Sequence, residues 1–235
     1  MKIGIFFGCT TRSTPVLFDR LKELMDRAGV EYSSHGLDLC CGAPLLLAGK
    51  IEEAKVQAEK VRRSLEGVDV VVTPCPHCYT IIKHEYREIT GKDNDFEVLH
   101  ITQFLKKLID EGKIKFKSGF RKRVVYHDPC YIGRESDGIY DEPREVLKSI
   151  PGLELVPLPL EKEDATCCGG GGFVRAYLPR LSAEVAKEKI ELQVLPTGAE
   201  VLTSACPFCY LNLNDGSEGK IEVEDLVSIV LKGME

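Results

Sequence analysis

The chain has 235 residues, ten cysteines and a formal charge of −6. The length suits one large domain or two of ordinary size, and the acidic balance argues against nucleic acid as a partner, because phosphate binding needs clustered Lys and Arg. Residues 1–7 carry one charge and an apolar run too short for a signal peptide, and no later stretch approaches a membrane span, so the expected location is cytoplasmic with no direct membrane span.

In chain order, residues 2–7 form a short apolar run suited to a buried strand. Thr14-Pro15 then reads as an N-cap with proline at the first helical position; Leu17, Leu21, Leu24 and Ala28 share one face, and Gly29 ends the helix. A second helix follows from Ile51, Ala54, Ala58, Val61 and Leu65, with Gly67 as its stop. Residues 69–73 read as the next strand, and the basic run from Lys113 to Arg123 as a solvated connector. Residues 123–127 and 200–203 are further β-branched runs.

An internal repeat organises these elements. Residues 67–79 align without a gap on 198–210, at a constant offset of 131. Upstream, Gly29-Val30-Glu31-Tyr32 matches Gly152-Leu153-Glu154-Leu155; downstream, Phe96-Glu97-Val98 matches Ile221-Glu222-Val223. The boundary falls near residues 112–121, giving domains 1–115 and 116–235. Alternating strand and helix in each predicts an α/β fold of two pseudo-symmetric, Rossmann-like halves, each with a mainly parallel sheet flanked by helices.

The cysteines follow the repeat. Cys9, Cys40, Cys41, Cys75 and Cys78 form one set, Cys130, Cys167, Cys168, Cys206 and Cys209 the other, and none is left over. In a reducing compartment such thiols persist as metal ligands or catalytic groups rather than as disulfides. Cys9, Cys75, Cys130 and Cys206 each come directly after a predicted strand, at the rim where open α/β sheets bind ligands. The expectation is two metal sites at the rims of two similar halves, facing one another across a pseudo-twofold. A structural zinc needs four ligands, so a fifth cysteine in both sets favours a multi-iron cluster, with zinc left open for one site.

Other candidates are single residues. His127, three residues before Cys130, is placed to protonate a departing thiolate or to serve as a hydrogen-bonded structural histidine. Arg12 and Arg134 follow the first cysteine of each set; they either offset cluster charge and attract an anionic substrate or are solvated. His77 is replaced by Phe208 in the second half, which argues against a ligand role. His100 and Asp225 stand at equivalent helix starts and read as N-caps. The glycines of 169–172 lack the spacing of a dinucleotide fingerprint; their amides are expected to point at cluster sulfides.

Phe7-Gly8-Cys9-Thr10, Tyr126-His127-Asp128-Pro129-Cys130-Tyr131-Ile132-Gly133-Arg134, Tyr140-Asp141-Glu142-Pro143-Arg144 and Cys167-Cys168-Gly169-Gly170-Gly171-Gly172 resemble the cysteine-rich CCG domain over essentially the whole chain. That domain occurs twice in the B-type polypeptide of heterodisulfide reductase and in the C-terminal part of its D-type relatives, and also in iron-sulfur subunits of glycolate, lactate and glycerol-3-phosphate dehydrogenases. The resemblance implies two noncubane 4Fe-4S clusters, one per five-cysteine set, with a substrate disulfide reduced between them in the heterodisulfide enzymes. The first half is shorter: 30 residues separate Cys9 from Cys40 and 32 separate Gly42 from Cys75, against 36 and 36 in the second.

Two function classes follow. One is a subunit that reduces, or in reverse forms, a small-molecule or protein disulfide, since two one-electron centres meet its two-electron demand without releasing a thiyl radical. The other is an electron-relay subunit of a flavin-linked dehydrogenase, in which the repeat records gene duplication alone. No ferredoxin-type cysteine set precedes residue 9, so electrons are expected from a ferredoxin-like or flavin-containing partner subunit.

Overall fold

A computed structural model describes residues 1–117 and 119–234, and the chain divides into two compact units between Phe104 and Leu105. Each unit holds one four-stranded sheet in which every pairing is parallel.

In the first unit the strands are β1 (Ile3–Phe6), β2 (Tyr32–His35), β3 (Val70–Thr73) and β4 (Glu97–His100), ordered β2-β1-β3-β4. β1 and β3 are central and paired in register from Ile3 with Val70 to Ile5 with Val72; β3 is buried throughout. Such runs are apolar because both faces of a parallel sheet are covered. The covering helices are α1 (Gly8–Arg12), α2 (Pro15–Arg27), α3 (Ala43–Leu47), α4 (Ile51–Ser64), α5 (Pro76–Thr80) and α6 (Tyr86–Thr90), with a π-helical turn, Ile81–Glu85, between α5 and α6; α7 (Ile101–Asp110) carries the division between the units. α2 buries Leu17, Leu21, Leu24 and Met25, and α4 buries Ala54, Ala58 and Val61. Thr14 is the N-cap residue of α2 and Pro15 opens the helix, but the Thr14 hydroxyl donates to Thr10 O (2.9 Å) instead of accepting a helix amide.

The second unit repeats the order with β5 (Arg123–His127), β6 (Glu154–Val156), β7 (Val201–Ser204) and β8 (Glu222–Asp225) arranged β6-β5-β7-β8. Its helices are α8 (Asp141–Lys148), α9 (Val174–Tyr177), α10 (Pro179–Lys189), α11 (Pro207–Ser217) and α12 (Leu226–Met234). α10 runs into a π-helical turn, Ile190–Val194. Val125, Ala186, Ile190, Leu202 and Leu213 meet in one core.

The basic connector is only partly solvated. Lys113, Lys115, Lys117 and Arg121 are exposed, whereas Ile114 is buried, and the Lys117 and Phe120 amides donate to Gly233 O and Pro151 O. Backbone polar groups beside a packed surface are paired, which ties this segment down. Ser118 lies outside the described residues.

His100 and Asp225 both act at helix starts. The Thr102 amide lies 3.4 Å from His100 Nδ1, and the Asp225 carboxylate accepts the Val227 amide at 3.0 Å. Burial nevertheless pushes the Asp225 carboxyl up to about 7, against helix-start amides that pull the other way. A group raised in the folded state contributes stability that is complete below its unfolded value and is lost as pH rises through its folded value. Asp225→Asn keeps an accepting oxygen and removes the titration. Denaturant unfolding at pH 5 and pH 8 should therefore show the variant gaining on the wild type by roughly 3 kcal/mol across that window, while a constant difference would show that Asp225 does not titrate there.

Candidate metal centres

The strand order brings the cysteines together. β1 and β3 are neighbours although β2 lies between them in sequence, and their carboxyl ends lead to Cys9 and Cys75. The chain leaves these ends in opposite directions across the sheet, which opens a crevice at such switch points. β5 and β7 do the same for Cys130 and Cys206. Cys75 and Cys206 are extended N-cap residues of α5 and α11, each followed by proline in the first helical turn. Proline there has no amide to leave unpaired, so Cys-Pro-x-Cys sets its second cysteine, Cys78 or Cys209, in the first helical turn. A helix N-terminus favours thiolate over thiol.

The double cysteines sit in loops held from several sides. Gly42 and Gly169 adopt φ +88° and +81°, a left-handed conformation that glycine takes without strain. A Cβ on Gly169 would also stand 2.9 Å from Ser182 O and from Val185 Cβ. In the first unit Arg12 donates to Gly36 O (2.6 Å) and Leu39 O (3.1 Å), Gln57 to Cys40 O (2.7 Å) and the Tyr86 hydroxyl to Cys41 O (2.8 Å). In the second, Arg134 donates to Ala165 O (2.8 Å) and Asn212 to Cys168 O (2.6 Å). Arg12 and Arg134 thus hold the segments entering the double cysteines. Arg134 also lies within electrostatic reach of Cys130 and 3.7 Å from Glu135.

Each set has the same layering. Cys41, Cys75 and Cys78 are buried, as are Cys168, Cys206 and Cys209, while Cys9, Cys40, Cys130 and Cys167 are partly or fully open to solvent. Cys40 Sγ lies 3.9 Å from Cys9 Sγ, and side-chain contacts continue from Cys40 to Cys41, Cys78 and Cys75. In the second set they run from Cys167 through Cys168 and Cys209 to Cys206, with Cys130 coupled electrostatically to Cys206 and Cys168. The Gly169 amide approaches Cys167 Sγ (3.3 Å) and the Gly170 amide Cys168 Sγ (3.5 Å), so these amides point at cysteine sulfur.

So many thiols cannot all ionise unaided. Hydrogen bonds from Cys40 and Cys78 bring Cys41 down to about 5, and Cys78 is pushed up because its proton serves Cys41 and Cys75. Cys168 is held low by Cys167 and then Cys209, both of which are raised in turn. Burial pushes Cys130 up to about 11. A cationic centre would remove this competition by coordinating every sulfur as thiolate, which is the chemistry that a five-thiol donor set fits.

His127 lies inside the second set. Its ring nitrogen, Cys168 Sγ and Cys209 Sγ all fall within 4.8 Å of one another, and its Nδ1 has no hydrogen-bond partner among the described residues. Burial lowers its basicity, against a hydrogen bond with Cys168. Phe6, likewise three residues before the first cysteine of its set, is the buried counterpart in the first unit. His77 is half-buried.

Sequence reasoning missed several supporting residues. Arg144 grips Asp128 through two bonds of 2.6 and 2.8 Å, and Asp128 also accepts the Lys162 amide (2.9 Å), fixing the chain just before Cys130. Burial works against the Arg144 charge, and the Asp128 carboxylate overcomes it. Both residues stand in motifs whose roles sequence alone left unassigned. Asn212 and Tyr86 had no such signal, because one is a polar residue within a helix and the other an aromatic at a helix start.

The profile of the cysteine-rich domain (CCG) matches residues 3–83 and 124–214. The chain is 37% identical over 242 aligned residues to the D-type polypeptide of a dihydromethanophenazine:CoB–CoM heterodisulfide reductase from Methanosarcina acetivorans, with 99% of this chain and 59% of that protein covered. It is 32% identical to the B-type polypeptide of a fumarate reductase (CoM/CoB) from Methanothermobacter marburgensis (97% and 46% covered). An EtfAB:quinone oxidoreductase of Syntrophomonas wolfei is also 32% identical (92% and 32% covered). The chain therefore spans about three fifths or less of the length of these relatives. Two matched segments, each enclosing one five-cysteine set on its own parallel sheet, place the chain in the CCG cysteine-rich domain family, as a homologue of the D-type polypeptide of heterodisulfide reductase.

Proposed function

We propose that this chain is the iron-sulfur redox portion of a heterodisulfide-reductase-like complex, with one centre per domain, 1–115 and 116–235. The observation that carries this is the twofold gathering of five thiols at the carboxyl ends of adjacent central strands, three buried and two toward solvent in each set. Cys9, Cys40, Cys41, Cys75 and Cys78 would hold the first centre, and Cys130, Cys167, Cys168, Cys206 and Cys209 the second. Bound there, noncubane 4Fe-4S clusters would supply one-electron transfer and iron able to take substrate sulfur.

The reaction balances as one disulfide, two electrons and two protons giving two thiols, with the electrons delivered by a ferredoxin-like or flavin-containing partner. The chain's residues contribute placement. Cys9, Cys40, Cys130 and Cys167 form the solvent side of each set, where a disulfide would arrive, and the buried cysteines face away from water. Arg134 holds the Ala165 carbonyl and adds positive charge beside Cys130, which suits an anionic substrate. His127, enclosed beside Cys168, is a hydrogen-bond donor toward sulfur and the candidate proton source for a departing thiolate. A second reading, an electron relay without disulfide chemistry, is favoured by the similarity to an EtfAB:quinone oxidoreductase. Among the described residues no helix is long and apolar enough to cross a membrane.

Anaerobically purified protein should contain about eight iron and eight acid-labile sulfide per chain, as two 4Fe-4S centres require. Stoichiometric zinc without sulfide, after anaerobic reconstitution, would overturn the assignment. Cys168→Ser should lose or convert the second centre and leave the iron of the first, and Cys41→Ser the reverse; elemental analysis with electron paramagnetic resonance reads both.

Little thiol should form from 2-hydroxyethyl disulfide with NADH alone, and formation should rise at least about tenfold when reduced methyl viologen replaces the absent partner, a change of about 1.4 kcal/mol in barrier. Centres that reduce and reoxidise with a quinone while producing no thiol would select the relay. Fast NADH-driven turnover by the chain alone would refute partner dependence.

A further inference from the structure

Among the described residues, a buried ammonium in the second unit has no carboxylate of its own. Lys189 is 3% exposed and ends α10, where that helix passes into its π-helical turn. Its Nζ donates to Thr166 O (3.3 Å), Thr166 Oγ1 (2.8 Å) and Gln193 Oε1 (3.2 Å), all neutral oxygens. Asp128, the carboxylate whose field reaches it, is already gripped twice by Arg144. Burying an ammonium without a counter-charge costs several kcal/mol, and burial does hold Lys189 below the ordinary lysine range. The field that opposes this loss of charge comes chiefly from Cys168 and Cys209, with Asp128 and Cys167 behind them. Thr166, held through both carbonyl and hydroxyl, immediately precedes Cys167.

The first unit has no equivalent. A Cβ on Gly42 would meet Gln57 of α4, and one on Gly169 would meet Val185 of α10, so these two helix positions correspond. One helical turn further along stand Val61 and Lys189, both buried. α4 is regularly α-helical through Ser64, whereas the π turn after Lys189 carries Gln193, which shares its ammonium. Inserted π turns recur at functional sites.

We infer, resting on the reading that each five-thiol set holds an iron-sulfur centre, that Lys189 is the built-in counter-cation of the second centre and sets its midpoint potential above that of the first. A fixed positive charge stabilises the reduced, more negative state, and a dry surrounding strengthens the effect. Electrons delivered to the chain then settle on the second centre. Part of the difference between the two centres then lies in a side chain whose hydrogen bonds go to Thr166 and Gln193. Lys189 is thus a tuning residue.

The test is a redox titration monitored by electron paramagnetic resonance on anaerobically purified protein, with the second centre identified by its loss in Cys168→Ser. Lys189→Met removes the charge and Lys189→Arg retains it. Gln193→Glu leaves Lys189 in place but sets a carboxylate where Gln193 Oε1 now lies, 3.2 Å from Nζ. Lys189→Met and Gln193→Glu should lower the second midpoint by at least a tenfold change in the reduced-to-oxidised ratio, about 59 mV for one electron. Lys189→Arg and the first midpoint should hold.

Should Lys189→Met lose its second centre, Gln193→Glu decides, since it alters charge at nearly constant shape. An unchanged midpoint in a variant with full iron content overturns the inference and leaves the cluster reading standing. Loss of the second centre from both variants overturns it too, by showing a structural role. Wild-type protein without iron and sulfide overturns the cluster reading itself.

Discussion

Parallel pairing of β1 with β3, and of β5 with β7, is the constraint on which both thiol sets depend. A parallel pair points both carboxyl ends the same way, so cysteines following them emerge at one rim although 65 residues separate Cys9 from Cys75. The sheet order does the rest, because β2 and β4 lie outside the central pair and leave the crevice between its ends open. Were β1 and β3 not adjacent, Cys-Pro-x-Cys would begin its helix away from Cys9. The double-cysteine loop would then have no thiols to meet.

How much of this was legible in the sequence depended on burial. The four strands read from apolar runs are β1, β3, β5 and β7, all central, covered on both faces and written almost entirely in apolar or β-branched residues. The edge strands escaped as strands because Tyr32-Ser33-Ser34-His35 and Glu222-Val223-Glu224 are half-exposed and carry polar side chains that solvent can satisfy. The repeat nevertheless marked the places near which β4 and β8 begin. The ten cysteines were legible as two sets, and their gathering follows the strand ends. The polar residues that hold the loops were not, since a helical Asn212 or a buried Lys189 has no periodic signature, and only packing reveals what each touches.

The duplication has preserved geometry more faithfully than electrostatics. Both units keep the left-handed glycine after the double cysteine, the proline-started helix and a side chain on the carbonyl of the second loop cysteine, supplied by Tyr86 in one and Asn212 in the other. Around that shared frame the second unit buries His127, the Asp128–Arg144 pair and Lys189, where the first has Phe6, Phe7 and Val61 at the positions corresponding to His127, Asp128 and Lys189. A buried ion pair is weak evidence of stability, since removing charges from water costs about as much as the pairing returns. Its presence beside Cys130 is better explained by what it positions than by what it stabilises.

The layout of each cysteine set along the chain has a topological consequence. Every set draws its sulfurs from three stretches of backbone, with some thirty or more intervening residues each time. Anything that bound all five sulfurs would therefore fasten three distant points of one unit together, closing two long loops at once and narrowing the unfolded ensemble as a pair of cross-links does. Occupancy and folding are then one equilibrium. The sheet positions the sulfurs, and a bound centre in return acts as the clasp that keeps the loops around the sheet closed.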